Sequence, residues 1–382
     1  MPIKYTNHLD IYISYALFFL FQICFIIQLY YLLVIQRKFS VFKPNKNLET
    51  NYSQPVSVII CARNEAENLK NYLPFILEQN HPNFEVIVVN DCSYDNSEDV
   101  LKDFAIKYKH LKVVKIEEHP RFKTAKKFAA TLGIKAAIHD IILFTDADCK
   151  PGSENWINRI TAHYQNDKTE IVLGYSPYIK GKGFLNRLIR YETYQTALNY
   201  FAYSLNAMPY MGVGRNLSYK KSLFFKNKGF ASHMHIPSGD DDLFVNQNAN
   251  AHNTEIEFSE DSQVWSEPKT TWKSYWKQKS RHLGAGKAYK NQDRKNLGLQ
   301  FGSAIGFYAL LVLCLFFRIE PLLIAIIFLI RFVVQIYVFY QPFIKLRNKD
   351  LIWWFIILDP FYYIYLTSLG ITGVFRKKTA WK

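Results

Sequence analysis

Four long apolar segments constrain the fold of this 382-residue chain more than any other feature of its sequence. The first, residues 11–35, holds 25 residues without a charge, enough for a helix of roughly 37 Å that crosses a bilayer with some tilt. It is longer than a signal-peptide core and lacks a small-residue cleavage site, which predicts a retained anchor. The others are residues 301–317, 321–340 and 351–375. The sequence therefore predicts an integral membrane protein with a soluble domain between its spans.

Basic residues crowd against the predicted spans and give the chain a formal net charge of +15. Four of them follow the first span, namely Arg37, Lys38, Lys43 and Lys46. Five precede the second span, namely Lys277, Lys279, Arg281, Lys287 and Lys290. Such clusters attract the anionic headgroups of membrane lipids, and the positive-inside rule places the soluble domain in the cytosol. We therefore expect a protein of a bacterial inner membrane, with lipids rather than nucleic acid beside its basic residues. Five scattered cysteines without C-x-x-C spacing support neither a disulfide framework nor a zinc site.

Three acidic motifs mark the soluble segment. Asp91 follows the apolar run 86–89, and Asp146 and Asp148 follow the run 141–144. These positions put carboxylates at the C-terminal ends of buried strands, where open α/β sheets bind ligands. The spacing of Asp-Ala-Asp suits a divalent ion that also holds a diphosphate. The third motif is the run Asp240-Asp241-Asp242. A turn or a helix cap explains any one of these aspartates equally well, but together they favour an enzyme that acts on a nucleotide-sugar.

Apolar runs alternate with helical patterns after residue 54. Strands are predicted at 56–62, 84–90, 112–116, 140–144 and 170–174, and helices at 65–79, 97–108, 124–139 and 155–164. This alternation with short loops predicts an α/β fold with a mostly parallel sheet covered on both faces. No G-x-G-x-x-G or Walker sequence opens these helices, so a dinucleotide or P-loop site lacks its phosphate cradle.

Beyond residue 181 the pattern changes, and two aromatic-rich segments follow. The helical segment 184–205 could lie on the membrane surface or cover the sheet, and the sequence favours neither. The segment 265–289 comes just before a span, which favours a position at the membrane interface. His233 and His235 have metal-like spacing but no further ligand nearby in the sequence, so we expect no metal there. The predicted regions are a membrane anchor at 1–37, a linker at 38–54, a catalytic domain at 55–268, an interfacial helical region at 269–300 and transmembrane segments at 301–382.

The order of five motifs resembles glycosyltransferase family 2, in its membrane-embedded branch with the cellulose, chitin and hyaluronan synthases. The motifs are SVIICARNEAENL, VVNDCSYDNS, TDADC, SGDDDLF and QKSRH, which span residues 57–282. They are similar to the family's opening strand, its V-x-D-x-S-x-D, its D-x-D, its E-D base and its Q-x-x-R-W. The resemblance implies a GT-A nucleotide-sugar-binding domain, transfer of a hexose from a UDP-sugar, and a role in polysaccharide biosynthesis.

The resemblance also implies a role for each residue on the donor side. Asp91 accepts the imide N–H of uracil, while Asp148, with Asp146 beside it toward the ribose or metal, binds Mg²⁺ or Mn²⁺. Arg281 holds the diphosphate, because a guanidinium fork matches phosphate oxygens. Further donor-binding residues are Ala62, Asn64, Glu65, Ser93 and Lys126. Either Lys126 or Lys127 approaches the nucleotide, unless both lie on a solvated helix face.

On the acceptor side, the resemblance of G-D-D to the family's G-E-D implies Asp241 as the general base, with Asp240 as the alternative. Three adjacent carboxylates repel one another, so at least one should have a raised pKa, which suits proton abstraction. Gln278 and His282 flank the acceptor, although the synthases place Trp at the position of His282, where histidine stacks with less area. The glycine-rich stretch MGVGRNLSYKK brings Gly214 and Asn216 to the acceptor, or Gly212 and Gly214 serve only a tight hairpin.

Two other functions fit the sequence less well. A polyprenyl-phosphate sugar synthase uses a phosphate acceptor, whereas the Q-x-x-R-H motif resembles that of hydroxyl-acceptor synthases. A non-catalytic membrane subunit would not need the intact acidic motifs. Arg331 and Asp359 are the ionisable residues well inside the apolar segments, too few for a solute pathway. We expect Asp359-Pro360 to break the last segment, which would return the basic tail to the cytosol.

Overall fold

The computed structural model describes residues 8–44, 54–118, 126–236, 238–282 and 284–374. They form two compact units. One contains the described residues up to Phe42 together with Asn291–Val374, and the other contains the described residues between 43 and 290. The first is a bundle of apolar helices, and the second is an α/β domain.

The described elements, in chain order from the N-terminus to the middle of the α/β unit, are α1 (His8–Tyr30), α2 (Arg37–Val41), β1 (Val56–Ala62), α3 (Ala66–Leu77), β2 (Phe84–Asp91), α4 (Ser97–Lys107), β3 (Leu111–Ile116), α5 (Lys126–Ala136), β4 (Ile141–Asp146), β5 (Cys149–Pro151), α6 (Trp156–Thr161) and β6 (Ile171–Gly174). The five predicted strands and four predicted helices are therefore present, shifted by a few residues at their ends. Residues 124 and 125 of the predicted helix 124–139 lie outside the described residues.

The remaining elements are α7 (Phe184–Leu205), β7 (Leu217–Lys220), α8 (Lys221–Lys226), α9 (Asp242–Asn248), β8 (Thr254–Glu257), β9 (Val264–Ser266), α10 (Trp272–His282), α11 (Asn291–Phe316), α12 (Pro321–Lys345) and α13 (Phe355–Val374). The four strands β5, β7, β8 and β9 were not predicted. Each has only three or four residues, too few for a periodic pattern to stand out from its neighbours.

The main sheet has seven strands in the order β3-β2-β1-β4-β7-β6-β8. The strands β3, β2, β1 and β4 run parallel, and β7 is antiparallel to both of its neighbours. The predicted α/β fold with a mostly parallel sheet is therefore confirmed. A buried apolar core, which includes Val58, Val88, Leu143 and Trp156, fixes the register because each strand hides its side chains from water.

The parallel register brings three strand ends together at one edge. Ala62 at the end of β1 pairs with Asn90 of β2, and Cys61 pairs with Asp146 of β4. Asp91 and Asp146 are the last residues of their strands. Two acidic motifs separated by 55 positions in the sequence therefore lie along the same edge of the sheet.

The helix α7 is a largely buried part of the α/β unit. Tyr191, Tyr194, Tyr200 and Tyr203 are at most 2% exposed, and the Tyr200 hydroxyl donates to the carbonyl of Gly174 in β6 (2.7 Å). A helix with these contacts covers the sheet, so the alternative of a membrane-surface helix does not describe 184–205.

Four helices are long and apolar enough to cross a membrane: Ile11–Val41, Asn291–Phe316, Pro321–Lys345 and Phe355–Thr372. The second begins ten residues before the predicted start at 301. The expected break at Asp359-Pro360 is wrong, since α13 runs without interruption and contains Pro360. Pro360 is the sixth residue of that helix, so it lies close to the helix N-terminus. The absence of the proline N–H group therefore removes a hydrogen bond only near the start of the helix. The tail after Val374 lies outside the described residues.

Candidate active site

Asp91 ends β2 in a buried position at the predicted nucleotide edge. Its side chain is 1% exposed, and neither carboxylate oxygen has a hydrogen-bond partner among the described residues. Burial raises the pKa of Asp91 above its ordinary value. A buried acceptor without a partner is costly. The carboxylate is therefore suited to a ligand that brings an N–H group.

The loops after β1 and β2 hold one another through short hydrogen bonds. The backbone N–H of Asn64 donates to Ser93 Oγ (2.9 Å), and the N–H of Tyr94 donates back to Asn64 Oδ1 (2.8 Å). The N–H of Glu65 donates to Ser97 Oγ (3.2 Å). Asn64 adopts φ of 55°, a left-handed conformation that asparagine tolerates better than most residues. Asn64 and Ser93 thus shape the loop beside Asp91.

Lys126 joins two of the acidic motifs. Its ammonium lies 3.0 Å from Asp146 Oδ1 and 3.4 Å from Asp240 Oδ2. Burial opposes the charge of the ammonium, but the carboxylates of Asp146 and Asp240 raise the pKa of Lys126 well above its ordinary value. Lys126 is therefore charged and part of the acidic site.

The neighbouring Lys127 has a different role. It is 1% exposed, and its ammonium donates to the carbonyls of His233 (2.6 Å) and Ile236 (3.1 Å). It therefore holds the segment that precedes Asp240. The alternative in which Lys126 and Lys127 lie on a solvated helix face is wrong.

His233 is buried, and burial, with Lys127 beside it, lowers the pKa of its imidazole to about 4.

Asp241 caps the N-terminus of α9 and contacts the glycine-rich stretch. Its Oδ1 accepts the N–H of Asp242 (2.7 Å), and its Oδ2 accepts the N–H of Gly214 (2.7 Å). Burial and then the neighbouring Asp240 raise the pKa of Asp241. The helix-cap explanation is thus correct for this residue, and the cap also fixes its carboxylate beside Gly214. A Cβ atom at Gly214 would lie 3.2 Å from Asp241 Oδ2, so a larger residue there would press on this carboxylate.

Asp242 completes the acidic run but faces another partner. Its Oδ2 accepts a hydrogen bond from the hydroxyl of Tyr289 (2.8 Å). Burial, followed by the charge of Asp241, raises the pKa of Asp242 to about 7. The three adjacent carboxylates therefore point to three different partners: Lys126, Gly214 and Tyr289.

Arg215 is a site residue that the sequence prediction missed. Its guanidinium donates to Ser266 Oγ (2.9 Å) and to the carbonyl of Ser176 (3.0 Å), and lies 4.4 Å from the ring centre of Tyr178. Burial and then Asp146 raise the pKa of Asp148, while the charge of Arg215 lowers it. The arginine is visible in the stretch MGVGRNLS, but the sequence prediction selected Gly214 and Asn216 from that stretch.

The predicted acceptor role of Asn216 is wrong. Asn216 is 0% exposed, and its amide nitrogen donates to the carbonyls of Tyr175 (2.9 Å) and Ser262 (2.8 Å). Its amide oxygen accepts the indole N–H of Trp156 (3.0 Å). Every polar atom of this side chain serves the core, which leaves none for a ligand.

The Q-x-x-R-H motif lies on α10. Gln278 Nε2 donates to the hydroxyl of Tyr178 (3.4 Å), the residue that also lies under Arg215. The Nε of Arg281 is buried without a hydrogen-bond partner among the described residues. Lys279 forms an ion pair with the buried Glu192 of α7 (2.8 Å), which holds the helix to the domain. The side chain of His282 lies outside the described residues.

The central residues line a small cleft with a cavity volume of about 10 Å³, room for about one water molecule. Its lining includes Lys126, Asp146, Gly214, Asp240 and Asp241. The described residues contain no group of three or more His, Cys, Asp and Glu side chains suited to a metal ion. Asp146 and Asp148 still supply two carboxylates, and Mg²⁺ commonly completes such a set with substrate phosphate oxygens and water. The residues therefore fit a metal that arrives with a diphosphate.

Comparison with known proteins identifies the family of the chain. The family model described as glycosyl transferase family 2 matches residues 57–224, and the one described as glycosyl transferase family group 2 matches residues 141–368, more than half of the chain.

Two curated relatives illustrate the range of similar proteins. A probable glycosyltransferase, YdaM of Bacillus subtilis (strain 168), is 27% identical over 284 residues, which cover 70% of this chain and 65% of that protein. A poly-beta-1,6-N-acetyl-D-glucosamine synthase of Staphylococcus epidermidis (strain ATCC 35984) is 27% identical over 154 residues, which cover 40% of this chain and 36% of that protein. The chain thus matches less than two thirds of the length of either relative.

Among solved structures, the mannosyltransferase PcManGT from Pyrobaculum calidifontis, in complex with GDP-Man and Mn²⁺, has a TM-score of 0.61. The likeness covers 94% of this chain and 98% of that one. At 16% identity it shows a shared fold.

Proposed function

The chain belongs to glycosyltransferase family 2, and from that premise we propose that it is a membrane-bound inverting glycosyltransferase. It moves a sugar from a nucleotide-sugar to a hydroxyl of a glycan or glycolipid acceptor. The observation that carries this proposal is the cleft in which Lys126 joins Asp146 to Asp240, with Asp241 beside them. Groups for the diphosphate and groups for the acceptor thereby meet in one place.

The donor nucleotide is assigned to the loops at the carboxyl edge of the sheet. Asp91 offers two buried oxygens without partners, which suits an N–H of the base. Ala62 ends β1, and Asn64, Glu65 and Ser93 belong to the loops that follow β1 and β2. We propose UDP as the nucleotide because these motifs resemble those of UDP-sugar synthases. PcManGT binds GDP-Man, so GDP-sugars are the donors to compare with UDP-sugars.

The diphosphate is assigned to the cationic groups around the D-x-D motif. Asp146 and Asp148 would hold Mg²⁺ or Mn²⁺, which offsets the charge of the leaving diphosphate. Lys126 lies within reach of the same oxygens, and the unpartnered Nε of Arg281 is suited to a phosphate oxygen. The positive charge of Arg215 lowers the pKa of Asp148 and so favours its ionised, metal-binding form.

The acceptor hydroxyl is assigned to the side of the cleft that holds Asp241. Two backbone N–H groups fix this carboxylate, and its raised pKa suits a group that takes a proton. The hydroxyl oxygen then bonds to the anomeric carbon while the bond to the diphosphate breaks, which inverts the configuration in one step. Asp240 is the alternative base, and Gln278 and His282 are assigned to the acceptor sugar.

The four apolar helices would hold the enzyme in a bacterial inner membrane, with the catalytic domain at 55–268 in the cytosol. In this arrangement a cytosolic nucleotide-sugar reaches the cleft directly.

The test is nucleotide release by the full chain in detergent, with Mg²⁺ or Mn²⁺ and a panel of UDP-, GDP- and dTDP-sugars. We expect metal-dependent release from a UDP-sugar that falls at least a hundredfold, a loss of about 2.7 kcal/mol of transition-state stabilisation, in Asp148→Asn. The control is Asp99→Asn, a change in an exposed carboxylate of α4 (side chain 79% exposed). Release by Asp148→Asn at the wild-type rate would refute the proposed site.

A further inference from the structure

The chain that follows α10 makes contacts that no step of the proposed reaction uses. A short 3₁₀ turn, Ala285–Ala288, is followed there by Tyr289 and Lys290. Lys290 is the last residue of the α/β unit before α11, one of the helices long and apolar enough to cross a membrane. Residues 285–290 are called the connector below.

The connector holds α9 at two places that are about one helical turn apart. The hydroxyl of Tyr289 donates to Asp242 Oδ2 (2.8 Å), at the first residue of that helix. The backbone N–H of Lys290 donates to Asn246 Oδ1 (2.8 Å), four residues further along. Asn246 is 0% exposed, and its amide nitrogen donates to the carbonyl of Tyr210 (3.0 Å). Because residues four apart lie on one face of a helix, the two contacts restrain α9 against rotation about its axis.

The position of α9 determines where the proposed base lies. The carboxylate of Asp241 accepts the N–H of Asp242 (2.7 Å) at Oδ1 and the N–H of Gly214 (2.7 Å) at Oδ2. Asp242 in turn accepts the N–H of Leu243 (2.7 Å) at Oδ1 and the hydroxyl of Tyr289 at Oδ2. A shift of Asp242 therefore moves a donor that holds the carboxylate of Asp241. Tyr289 thus reaches the base through one intervening residue.

The surroundings of Tyr289 keep its hydroxyl protonated and in place. Its ring lies 6.1 Å from the ring of Tyr210. Burial, with Asp242 beside it, raises the pKa of Tyr289 well above its ordinary value, so the hydroxyl remains a donor at neutral pH. Tyr210 directly precedes the glycine-rich stretch that contains Gly214. The connector therefore contacts both elements that hold Asp241.

The charge of Asp242 changes near neutral pH. Burial, followed by the charge of Asp241, raises the pKa of Asp242 to about 7. The hydroxyl of Tyr289 opposes this rise, because it donates to the ionised carboxylate. Among the described residues, Asp240 and Lys127 of α5 also act on Asp242 by their charge. Tyr289 therefore affects the charge beside the base as well as its position.

We propose that Tyr289 is a positioning residue for the general base: through Asp242 it holds the first turn of α9 so that the carboxylate of Asp241 lies at the cleft. This role rests on the proposed function, in which Asp241 takes the proton of the acceptor hydroxyl. It also gives the connector, whose residues follow all five sequence motifs in the chain, a part in the reaction.

The first experiment is a double-mutant cycle in the nucleotide-release assay, with the full chain in detergent. Tyr289→Phe keeps the ring and removes the hydroxyl, so we expect turnover to fall about tenfold with an unchanged KM for the donor. Asp242→Ala removes the acceptor of that hydroxyl. Addition of Tyr289→Phe to Asp242→Ala should therefore lower turnover less than about twofold further.

The matched control is Tyr108→Phe. It removes a hydroxyl that donates to the exposed carboxylate of Glu78, and Tyr108 precedes β3, away from the carboxyl edge of the sheet. We expect wild-type turnover in this variant. Wild-type turnover in Tyr289→Phe would overturn the positioning role. A fall of equal size with and without Asp242→Ala would overturn its action through Asp242, and a raised KM at unchanged turnover would assign Tyr289 to donor binding instead.

The second experiment measures the melting temperature of the full chain against pH and needs no substrate. Folded Asp242 keeps a proton that the unfolded chain loses above its ordinary pKa of 3.8, so wild-type stability falls as pH rises toward about 7 and then levels off. Loss of the Tyr289 hydroxyl raises the pKa of Asp242 further. In Tyr289→Phe the fall should therefore continue to a higher pH, whereas Tyr108→Phe should follow the wild-type curve.

The two experiments separate this role from the proposed function. A curve that levels off at the same pH in Tyr289→Phe and in the wild type would overturn the hold of Tyr289 on Asp242, whatever the activity. If the wild-type chain transfers no sugar, the proposed function fails, and the melting curves still decide whether Tyr289 holds Asp242.

Discussion

Replacement of Lys126 by methionine should strengthen the binding of Mn²⁺ in the absence of a donor. The ammonium lies 3.0 Å from Asp146 and 3.4 Å from Asp240, so it neutralises carboxylates that would otherwise attract a metal ion. A divalent ion that binds Asp146 must displace this ammonium or approach against its charge. Methionine keeps the length of the side chain and removes the competing cation.

The structure sets the size of this effect. Two unit charges about 4 Å apart interact by about 4 kcal/mol at an effective dielectric of about 20. The side chains of Lys126, Asp146 and Asp240 are 25%, 30% and 17% exposed, so solvent screens part of this energy. A net gain of about 1.4 to 2.8 kcal/mol corresponds to Mn²⁺ affinity that is about ten- to a hundredfold tighter.

The assay is titration of free Mn²⁺ by electron paramagnetic resonance, with the full chain in detergent and no nucleotide present. The control is Lys135→Met, which makes the same change at an exposed position of the same helix. Affinity that is unchanged or weaker in Lys126→Met would refute the competition between lysine and metal. Turnover should fall in the same variant, because Lys126 lies 3.0 Å from Asp146, which we propose binds the metal and diphosphate.

Three further changes test the site and its supports. Gly214→Ala places a Cβ 3.2 Å from the carboxylate of Asp241, so we expect turnover to fall about tenfold in a nucleotide-release assay, with donor affinity unchanged. Asp242→Asn should flatten the pH dependence of the melting temperature. Burial raises the pKa of Asp242 to about 7 from an ordinary value of 3.8, so the folded state keeps a proton that the unfolded state loses, and wild-type stability falls as pH rises through that window. Gly174→Ala would place a Cβ 2.6 Å from the backbone oxygen of Asn216, and we expect a loss of about 1–3 kcal/mol of stability in a denaturant titration.

Each of these predictions has an outcome that contradicts it. A wild-type turnover in Gly214→Ala would mean that the position of Asp241 does not matter for the reaction. If the melting temperature of Asp242→Asn still falls as pH rises, a group other than Asp242 causes that dependence. Gly298→Ala, where an added Cβ meets no atom within 4 Å, is the control for Gly174→Ala, and equal stability of the two would contradict the close packing at β6.

Much of the α/β fold could be predicted from the sequence, because its signals are local. The apolar runs that form β1, β2 and β4 are buried on both faces of a parallel sheet, so they appear as continuous hydrophobic stretches. Aspartates that follow such runs must lie at the same edge. The acidic site could therefore be located before its geometry was known. Short antiparallel strands such as β7 gave no comparable signal, because their pairing depends on partners far away in the chain.

The individual roles within the site depended on tertiary contacts. Lys126 and Lys127 are adjacent and chemically identical, yet one joins two carboxylates and the other holds two backbone carbonyls. Asn216 lies two residues from Gly214, but three hydrogen bonds inside the core remove it from the cleft. Sequence spacing places such residues near the site, and only packing decides which atoms face a ligand.

The sequence by itself determined that apolar helices precede and follow an α/β domain along the chain, and that its carboxylates lie at the ends of parallel strands. Hydrophobic periodicity and residue order suffice for both conclusions. The tertiary structure alone decided that Lys126 joins Asp146 to Asp240 and that Arg331 pairs with Asp359. These contacts join residues between 20 and 114 positions apart in the chain. Packing sets the distances between their charged atoms, and those distances determine their chemistry.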